Sequence, residues 1–181
     1  YVGGPIFGSN YRMAEVIAAM ARVQLRRLDT FVKRHRAQAA LLTKELAKIP
    51  GLIPAYVHPD SYHVYHRFAI KVDESVLGIS RDKLVAAMKA EGFPMSKGYV
   101  KPIYLLPVFQ TKQAFNKTQF PFVSNYYSGN PDYSRGICPV TERLYDSEFT
   151  FTEICQYTYT GVHVKLFIKA LKKVIENKHE L

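Results

Sequence analysis

The sequence contains no tryptophan, only two cysteines and no long hydrophobic run. Cys138 and Cys155 form no CxxC pair, and no histidine or further cysteine lies at a zinc-binding spacing from either. We therefore expect two reduced thiols and no metal site. No apolar stretch reaches the ~18–20 residues that a membrane span requires, and the N-terminus lacks the basic segment and apolar stretch of a signal peptide. These absences predict a soluble, cytoplasmic protein with no membrane partner.

Three motifs of common enzyme sites are also absent. There is no GxSxG and no GxGxxG, and the segment GGPIFG lacks the Gly-Lys-Ser/Thr of a phosphate-binding loop. Acidic residues are scarce, since 15 of them face 25 basic ones in a chain with net charge +10. This balance favours anionic partners, but the basic residues are spread along predicted helices and accompany no nucleic-acid-binding module. We expect no nucleic-acid partner, and residue chemistry alone gives no complete catalytic set.

A long helix is predicted after an N-terminal loop at residues 1–10. Its first part, Ala14–Ala21, is almost entirely apolar, which predicts burial on most sides. From Leu28 onward, apolar residues recur at steps of three and four, a pattern typical of a helix packed along one side. We expect a break or kink at Asp29–Thr30 and the end of the helix at Pro50–Gly51.

Two strands are predicted after the long helix. The first is short, at Leu52–Ile53, and the second covers Tyr62–Val72, where apolar and polar residues alternate. On such a strand His63 and His66 would lie on opposite faces, so they could not bind one metal ion together.

The remaining segments alternate between helices, short strands and one long loop region. They comprise a helix over residues 81–91 capped by Ser80 and stopped by Gly92, a short apolar segment at 93–100, loops over 101–137, a helix at 138–145, a strand at 148–151 and a final helix after Thr160. The loop region is rich in proline and aromatic residues, and a structureless segment of this length indicates a functional or interface loop. Together these elements predict a small α/β domain.

One segment carries a specific resemblance to a known family. Residues 8–29, GSNYRMAEVIAAMARVQLRRLD, resemble the stretch G-x-N-Y-R-M-x-E-x-x-A-A-x-x-x-x-Q-L-x-x-L-D of the DegT/DnrJ/EryC1/StrS sugar aminotransferases. Four later segments follow in that family's order: HVYHRFAIKVD, GISRDKLVAAMKAEGFP, GYVKPIYLLP and CPVTERLYDSEFTF. The resemblance therefore covers nearly the whole chain, and its shared order is hard to obtain by chance.

The resemblance implies a pyridoxal-phosphate (PLP)-dependent aminotransferase of fold type I, with this chain as its C-terminal part. Residues 1–49 would form a cofactor-proximal loop and long connecting helices, and residues 50–181 a small C-terminal α/β domain with a small sheet packed by helices. The PLP-binding domain and its catalytic lysine would lie upstream of this chain, which begins without methionine in a glycine-rich loop. The chain alone would then be inactive, and the full-length enzyme would act as a homodimer.

The resemblance also implies roles for individual residues. In this family the loop asparagine reaches the cofactor phosphate of the partner subunit, which implies that role for Asn10, although Asn10 could also cap the following helix. Arg12 is expected either to bind phosphate or substrate or to brace the loop through a carboxylate. Tyr99, Tyr104 and His66 are candidates for the wall of the substrate site. Many members that use nucleotide sugars carry one histidine just before the position of Tyr99 and another near that of Tyr104. This chain lacks both and instead looks like members acting on cyclitols.

The implied reaction is transamination. An amino donor, Glu or Gln, loads the cofactor, which then aminates the ketone of a sugar, often nucleotide-linked, or of a cyclitol. An alternative of a different class is a non-catalytic module that mediates dimerisation or binds an anionic regulatory ligand. A lysine-bearing cofactor domain encoded upstream would favour the enzyme, and a start codon near Tyr1 would favour the module.

Overall fold

A computed structural model of the chain describes residues 12–113 and 119–181. Its longest element is helix α1, Glu15–Leu46, which at 1.5 Å per residue is about 48 Å long. The helix is continuous through Asp29 and Thr30, so the predicted break there is wrong. Neither residue removes a backbone N–H from the helical ladder as proline would. The helix ends shortly before the predicted stop at Pro50–Gly51.

Four short strands form one antiparallel sheet in the order β1-β2-β4-β3. They are β1 Leu52–Pro54, β2 Phe68–Val72, β3 Ser96–Lys97 and β4 Phe149–Thr152. The other helices are α2 Glu74–Leu77, α3 Arg81–Ala90, α4 Pro107–Gln110, α5 Pro139–Arg143 and α6 Gly161–Glu176. Two 3-10 turns, Ile103–Leu105 and Lys178–Glu180, and a π-helical turn, Leu144–Glu148, complete the described elements.

One face of the sheet is buried against the helices. Phe68, Ile70 and Val72 of β2 are buried and belong to the same core as side chains of α1, α3 and α6. The buried helical side chains of this core include Ala39, Leu42, Leu46, Leu84, Val85, Met88, Val164, Phe167 and Leu171. The predicted helices after Ser80 and Thr160 are therefore confirmed as α3 and α6, and each buries one side in this core. The C-terminal half of α1 packs into the same core as the residues after it, and the division of the chain at residue 50 remains a prediction.

The opposite face of the sheet, here called the open face, follows from the strand register. Because directly paired residues of antiparallel strands point to the same side, the pairs Ala69↔Phe151 and Lys71↔Phe149 lie on the face opposite Phe68. Ser96 pairs with Phe151 and so shares the open face. The open face thus carries the polar and aromatic side chains that the helices leave uncovered.

The predicted strand at Tyr62–Val72 is wrong in its first half, because β2 begins only at Phe68. Tyr65 has a φ of +51°, in the left-handed region, which breaks an extended strand. Residues before Phe68 are instead held by α1, since Arg36 donates a 2.8 Å hydrogen bond to the backbone oxygen of His63. The strand argument that separated His63 from His66 therefore does not apply.

Helix caps and turns follow the predicted chemistry. The hydroxyl of Ser80 accepts the backbone N–H of Lys83 at 3.3 Å, which caps α3. Gly92 follows α3 with a φ of +84°, a conformation that glycine adopts without steric cost. Both cysteines are free thiols, Cys138 half-buried and Cys155 buried.

The N-terminal half of α1 is exposed, so the predicted burial of Ala14–Ala21 is wrong for this chain. Only the C-terminal half of the helix reaches the core, and the first half extends past it. The apolar side chains of this first half lie on the same side of the helix as the buried residues Ala39, Leu42 and Leu46 of the second half. We call them the apolar face of α1: Met13, Val16, Ile17, Met20, Val23 and Leu28, between 47% and 70% exposed. No helix in the described parts of the chain is long and apolar enough to cross a membrane.

Candidate functional site

Arg67, directly before β2, lies in an aromatic corner on the open face. Its guanidinium carbon is 4.3 Å from the ring centroid of Tyr99 and 4.5 Å from that of Phe151. The two rings meet edge to face, with centroids 5.9 Å apart and an interplanar angle of 80°. Each contact is a cation–π interaction worth about 0.5–2 kcal/mol. The rings therefore fix the direction of a charged, planar hydrogen-bond donor.

Glu153 faces the same guanidinium. Its Oε1 lies 3.2 Å from Nε of Arg67, and the side chains are 40% and 30% exposed, respectively. The Nε atom is buried but makes no hydrogen bond in the described structure. These side chains border a small cavity of about 160 Å³, here called the Arg67 pocket, which is lined by Arg67, Pro94, Ser96, Phe151, Thr152 and Glu153. The pocket places a donor and an acceptor of opposite charge side by side.

Thr152 stabilises the wall of the Arg67 pocket. Its hydroxyl donates a 2.6 Å hydrogen bond to the backbone oxygen of Pro94 and accepts the N–H of Ile154 at 3.2 Å. The neighbouring Thr150 hydroxyl donates to the backbone oxygen of Ser96 at 2.7 Å. These side-chain bonds supplement the two residue pairs that join β3 to β4, so the short edge strand is held in place.

The second cation of the open face is also balanced by a carboxylate. Nζ of Lys71 lies 3.5 Å from Oε2 of Glu148, whose Oε1 accepts a 2.8 Å hydrogen bond from Nε of Arg143. The chain as a whole carries a charge of +10, yet Arg67 and Lys71 each have an acidic partner. Each of these two cations therefore has a carboxylate beside it, and Lys71 shares Glu148 with Arg143.

Two of the three predicted wall residues are adjacent to Arg67, Tyr99 in space and His66 in the chain. Tyr99 contacts Arg67, the residue after His66, while the exposed His66 is held through its backbone oxygen, which accepts a 3.3 Å hydrogen bond from Nε2 of Gln156. Tyr104 lies in a separate cluster, half-buried against Glu142. The three residues thus do not form one constellation.

That second cluster is centred on Glu142, which is 8% exposed. Its Oε1 accepts the hydroxyl of Tyr104 at 2.5 Å and the backbone N–H of Gly136 at 2.7 Å. The Tyr104 hydrogen bond, followed by that of Gly136, lowers the pKa of Glu142. Burial and the adjacent carboxylate raise the pKa of Tyr104 to about 12. The phenol therefore keeps its proton at neutral pH and serves as a hydrogen-bond donor.

Arg81 is a positioning residue that sequence reasoning missed. It is 5% exposed and donates to the backbone oxygens of Tyr145, Asp146 and Phe149 at 2.7, 2.6 and 3.2 Å. These bonds hold the π-helical turn that leads into β4. One sequence signal was present, since a cation in the first turn of a helix is unfavourable unless something else binds it. Nothing in the sequence pattern pointed to the pairing of Arg67 with Glu153.

Of the two residues predicted to contact a cofactor, Arg12 lies just before α1. Arg12 is exposed, two residues before the N-cap residue Ala14, whose side chain cannot accept a hydrogen bond from the first helical turn. Free amide groups at a helix N-terminus suit an anion such as a phosphate. Asn10 and Tyr11 lie outside the described residues. Within those that are described, no group of three or more His, Cys, Asp and Glu residues could hold a metal ion.

Comparison with known proteins gives a family match over most of the chain. The model of the DegT/DnrJ/EryC1/StrS aminotransferase family matches residues 2–147. The spore coat polysaccharide biosynthesis protein SpsC of Bacillus subtilis is 32% identical over 120 residues, which are 66% of this chain and 31% of that protein. The similarity in sequence thus extends from residue 2 to the turn before β4.

Solved aminotransferase structures share the fold. An aminotransferase from Psychrobacter cryohalolentis matches with a TM-score of 0.73 at 23% identity, covering 97% of this chain and 42% of its own. The structure of DesI in the presence of its TDP-sugar product matches with a TM-score of 0.69 at 21% identity, covering 98% and 40%. The predicted fold, a long helix leading into a small sheet packed by helices, is confirmed. The chain spans about a third of the curated relative and about two fifths of these solved chains.

Proposed function

The chain belongs to the DegT/DnrJ/EryC1/StrS aminotransferase family, and from that membership we propose that it is the C-terminal part of a PLP-dependent aminotransferase. The observation that carries this proposal is the family match over residues 2–147 in a chain that spans only 31% of the length of SpsC. The PLP-binding domain, with the catalytic lysine, belongs to a preceding part of the polypeptide. The chain alone is then inactive.

The proposed reaction transfers an amino group from Glu or Gln to the ketone of a keto-sugar or a cyclitol. When PLP is bound, it supplies the electron sink for this chemistry. Two features of this chain fit the phosphate of that cofactor: the exposed Arg12 and the first turn of α1, which the side chain of Ala14 cannot cap. We assign Asn10 to the same phosphate, reached from the neighbouring subunit of a homodimer. An amide donor at this position would complement the guanidinium.

The substrate is proposed to lie against the open face of the sheet. Tyr99 and Arg67 form a fixed wall there, and the exposed His66 is the neighbour of Arg67 in the chain. Tyr104, whose protonated phenol donates to Glu142 in the separate cluster, is assigned to a second part of the substrate site. These residues bind and orient substrate, since none of them combines a free base with a nucleophile.

The exposed apolar face of α1 supports a partner for this chain. Six large apolar side chains on one face of a helix are rarely left in water by a folded monomer. We propose that the PLP-binding domain and the second subunit cover this face in the cytoplasmic enzyme.

The test is an amino-transfer assay with the complete polypeptide that contains this chain. Glu or Gln is supplied as donor, and the acceptors are a nucleotide-linked keto-sugar and a keto-cyclitol. We expect PLP-dependent formation of an amino product with one acceptor class. A complete polypeptide that binds PLP but aminates neither class would contradict the proposed substrates, and one that binds no PLP would contradict the enzyme itself.

A further inference from the structure

We propose that the Arg67 pocket binds two adjacent hydroxyl groups of a neutral polyhydroxylated ring. The assignment of this ring as the amino acceptor rests on the proposed function, whereas the binding itself rests on the geometry of the pocket. This assigns the pocket to a neutral hydroxylated ring in preference to a phosphate group.

The pairing of Arg67 with Glu153 sets the hydrogen-bonding character of the pocket. A guanidinium only donates hydrogen bonds, and a carboxylate only accepts them. Their facing atoms lie 3.2 Å apart, and Nε of Arg67 is buried without a hydrogen bond. A hydroxyl both donates and accepts, so two neighbouring hydroxyls can bind to the guanidinium and the carboxylate at once. A ligand of this kind matches both members of the pair.

The charge of the open face disfavours an anionic ligand. A phosphate placed at Arg67 would also approach the carboxylate of Glu153, and the repulsion would offset the attraction. Lys71 offers no substitute, because Glu148 already lies 3.5 Å from its ammonium group. A neutral ligand avoids this repulsion and keeps both hydrogen-bonding partners.

The size and the apolar wall of the pocket also suit a single ring. Its volume of about 160 Å³ leaves space for one small polyol. The ring of Phe151 provides an apolar surface for C–H groups, and Ser96 lies on the opposite strand. Tyr99 does not line the pocket. It contacts the guanidinium of Arg67 and is therefore a positioning residue.

Saturation-transfer NMR on the 181-residue chain tests the binding directly. The probes are myo-inositol as the neutral ring, UDP as the anion and L-glutamine as a zwitterion. We expect transfer to the ring protons of myo-inositol, reduced at least threefold in Arg67→Met and in Glu153→Ala. Lys71→Met is the matched control, because it removes a paired cation from the same face outside the pocket, and it should retain the signal.

Three results would overturn the inference. They are absence of myo-inositol binding to the unchanged chain, myo-inositol binding that Arg67→Met leaves intact, and binding of UDP or L-glutamine that Arg67→Met abolishes. If Arg67→Met fails to fold, Tyr99→Leu replaces it, and the same threefold loss is expected because the guanidinium loses its support. Retention of the signal in Tyr99→Leu then counts against the inference.

The complete enzyme separates this inference from the proposed function. There we expect Tyr99→Leu to raise the KM of the ring substrate at least threefold while the KM of the amino donor and kcat change little. If the complete polypeptide binds myo-inositol but has no transferase activity, the proposed function is wrong and the assignment of the pocket stands. If the complete polypeptide aminates a ring ketone and Arg67→Met does not change the KM of that ketone, the assignment of the pocket is wrong and the proposed function stands.

Discussion

The hydroxyl of Tyr104 donates a 2.5 Å hydrogen bond to Oε1 of Glu142, the same atom that accepts the N–H of Gly136. One buried carboxylate therefore joins the two ends of the loop region between residues 104 and 136 to helix α5. The loop region was predicted from its prolines and aromatic residues, but this cross-link was not.

The Glu142 cross-link predicts a pH-dependent contribution to stability. Its pKa is lowered by the Tyr104 hydrogen bond, below the value of about 4.3 expected in the unfolded chain. A lowered folded-state pKa gives stability that is complete above the unfolded-state pKa and is lost as pH falls through the folded-state pKa. We expect Glu142→Gln to lower the thermal midpoint at pH 7, with a gap that narrows below about pH 4.3. A gap that stays constant down to pH 3 would contradict this assignment.

Arg81 should be more important for stability than its place at a helix start suggests. Arg81→Met would remove the donor of three backbone carbonyl groups. Hydrogen bonds to charged groups contribute about 1.5–3 kcal/mol each, and we expect a loss of at least about 3 kcal/mol in urea unfolding. Lys83→Met, on an exposed position of the same helix, is the control and should cost less than about 0.5 kcal/mol. Equal effects of the two changes would show that the carbonyl contacts contribute little.

The apolar face of α1 should make the isolated chain self-associate. We expect the molar mass from light scattering to rise with concentration, because Val16 and Met20 are 70% and 63% exposed. The double change Val16→Lys and Met20→Lys should shift the chain toward monomer. Ala18→Lys should not, because Ala18 is two residues from both Val16 and Met20 and therefore lies on the other side of the helix. A monomeric unchanged chain at all concentrations would rule out this surface as an associating one.

Asn10 should contribute to cofactor binding in the complete enzyme. A hydrogen bond to a charged group is worth about 1.5–3 kcal/mol, so Asn10→Ala should weaken PLP binding by about 10- to 100-fold. Because the contact is proposed to cross the dimer, a mixed dimer distinguishes it from a contact within one chain. One subunit carries Asn10→Ala, and its partner lacks the catalytic lysine. The lysine-bearing site then receives an intact Asn10 from the partner, and we expect normal affinity.

The mixed dimer has two controls. The Asn10→Ala homodimer sets the weak affinity, and the unchanged homodimer sets the strong one. If the mixed dimer binds PLP as weakly as the Asn10→Ala homodimer, the amide acts within its own chain and the cross-dimer role is wrong.

Local patterns predicted the elements whose packing follows from their own periodicity. The final helix after Thr160 was predicted, and Val164, Phe167 and Leu171, spaced three and four residues apart, are buried on one side of it. Alternation failed at residues 62–67, since the left-handed backbone of Tyr65 leaves no mark in a hydropathy pattern. The apolar residues at Ala14–Ala21 indicated a surface that tends to be buried, but a hydropathy pattern does not show whether the residues that would cover it belong to the same chain.

The candidate site was predictable only in its parts. Tyr99 was selected by resemblance and Arg67 lay on the polar side of an alternating segment, but their contact depends on how β2, β4 and β3 pair. Register between distant strands is set by the whole sheet and is not readable from either segment. Glu153 joined the site for the same reason, through its position just after β4.

The most direct test of the central claim is the location of the lysine that binds PLP. The complete polypeptide is incubated with PLP, reduced with borohydride, and the labelled residue is found by peptide mapping; the 181-residue chain is treated in parallel. We predict one labelled lysine preceding the residues of this chain, and no stoichiometric label on the 181-residue chain itself. A single label on a lysine within residues 1–181, or a complete polypeptide that starts near Tyr1 and takes no label, would contradict the account.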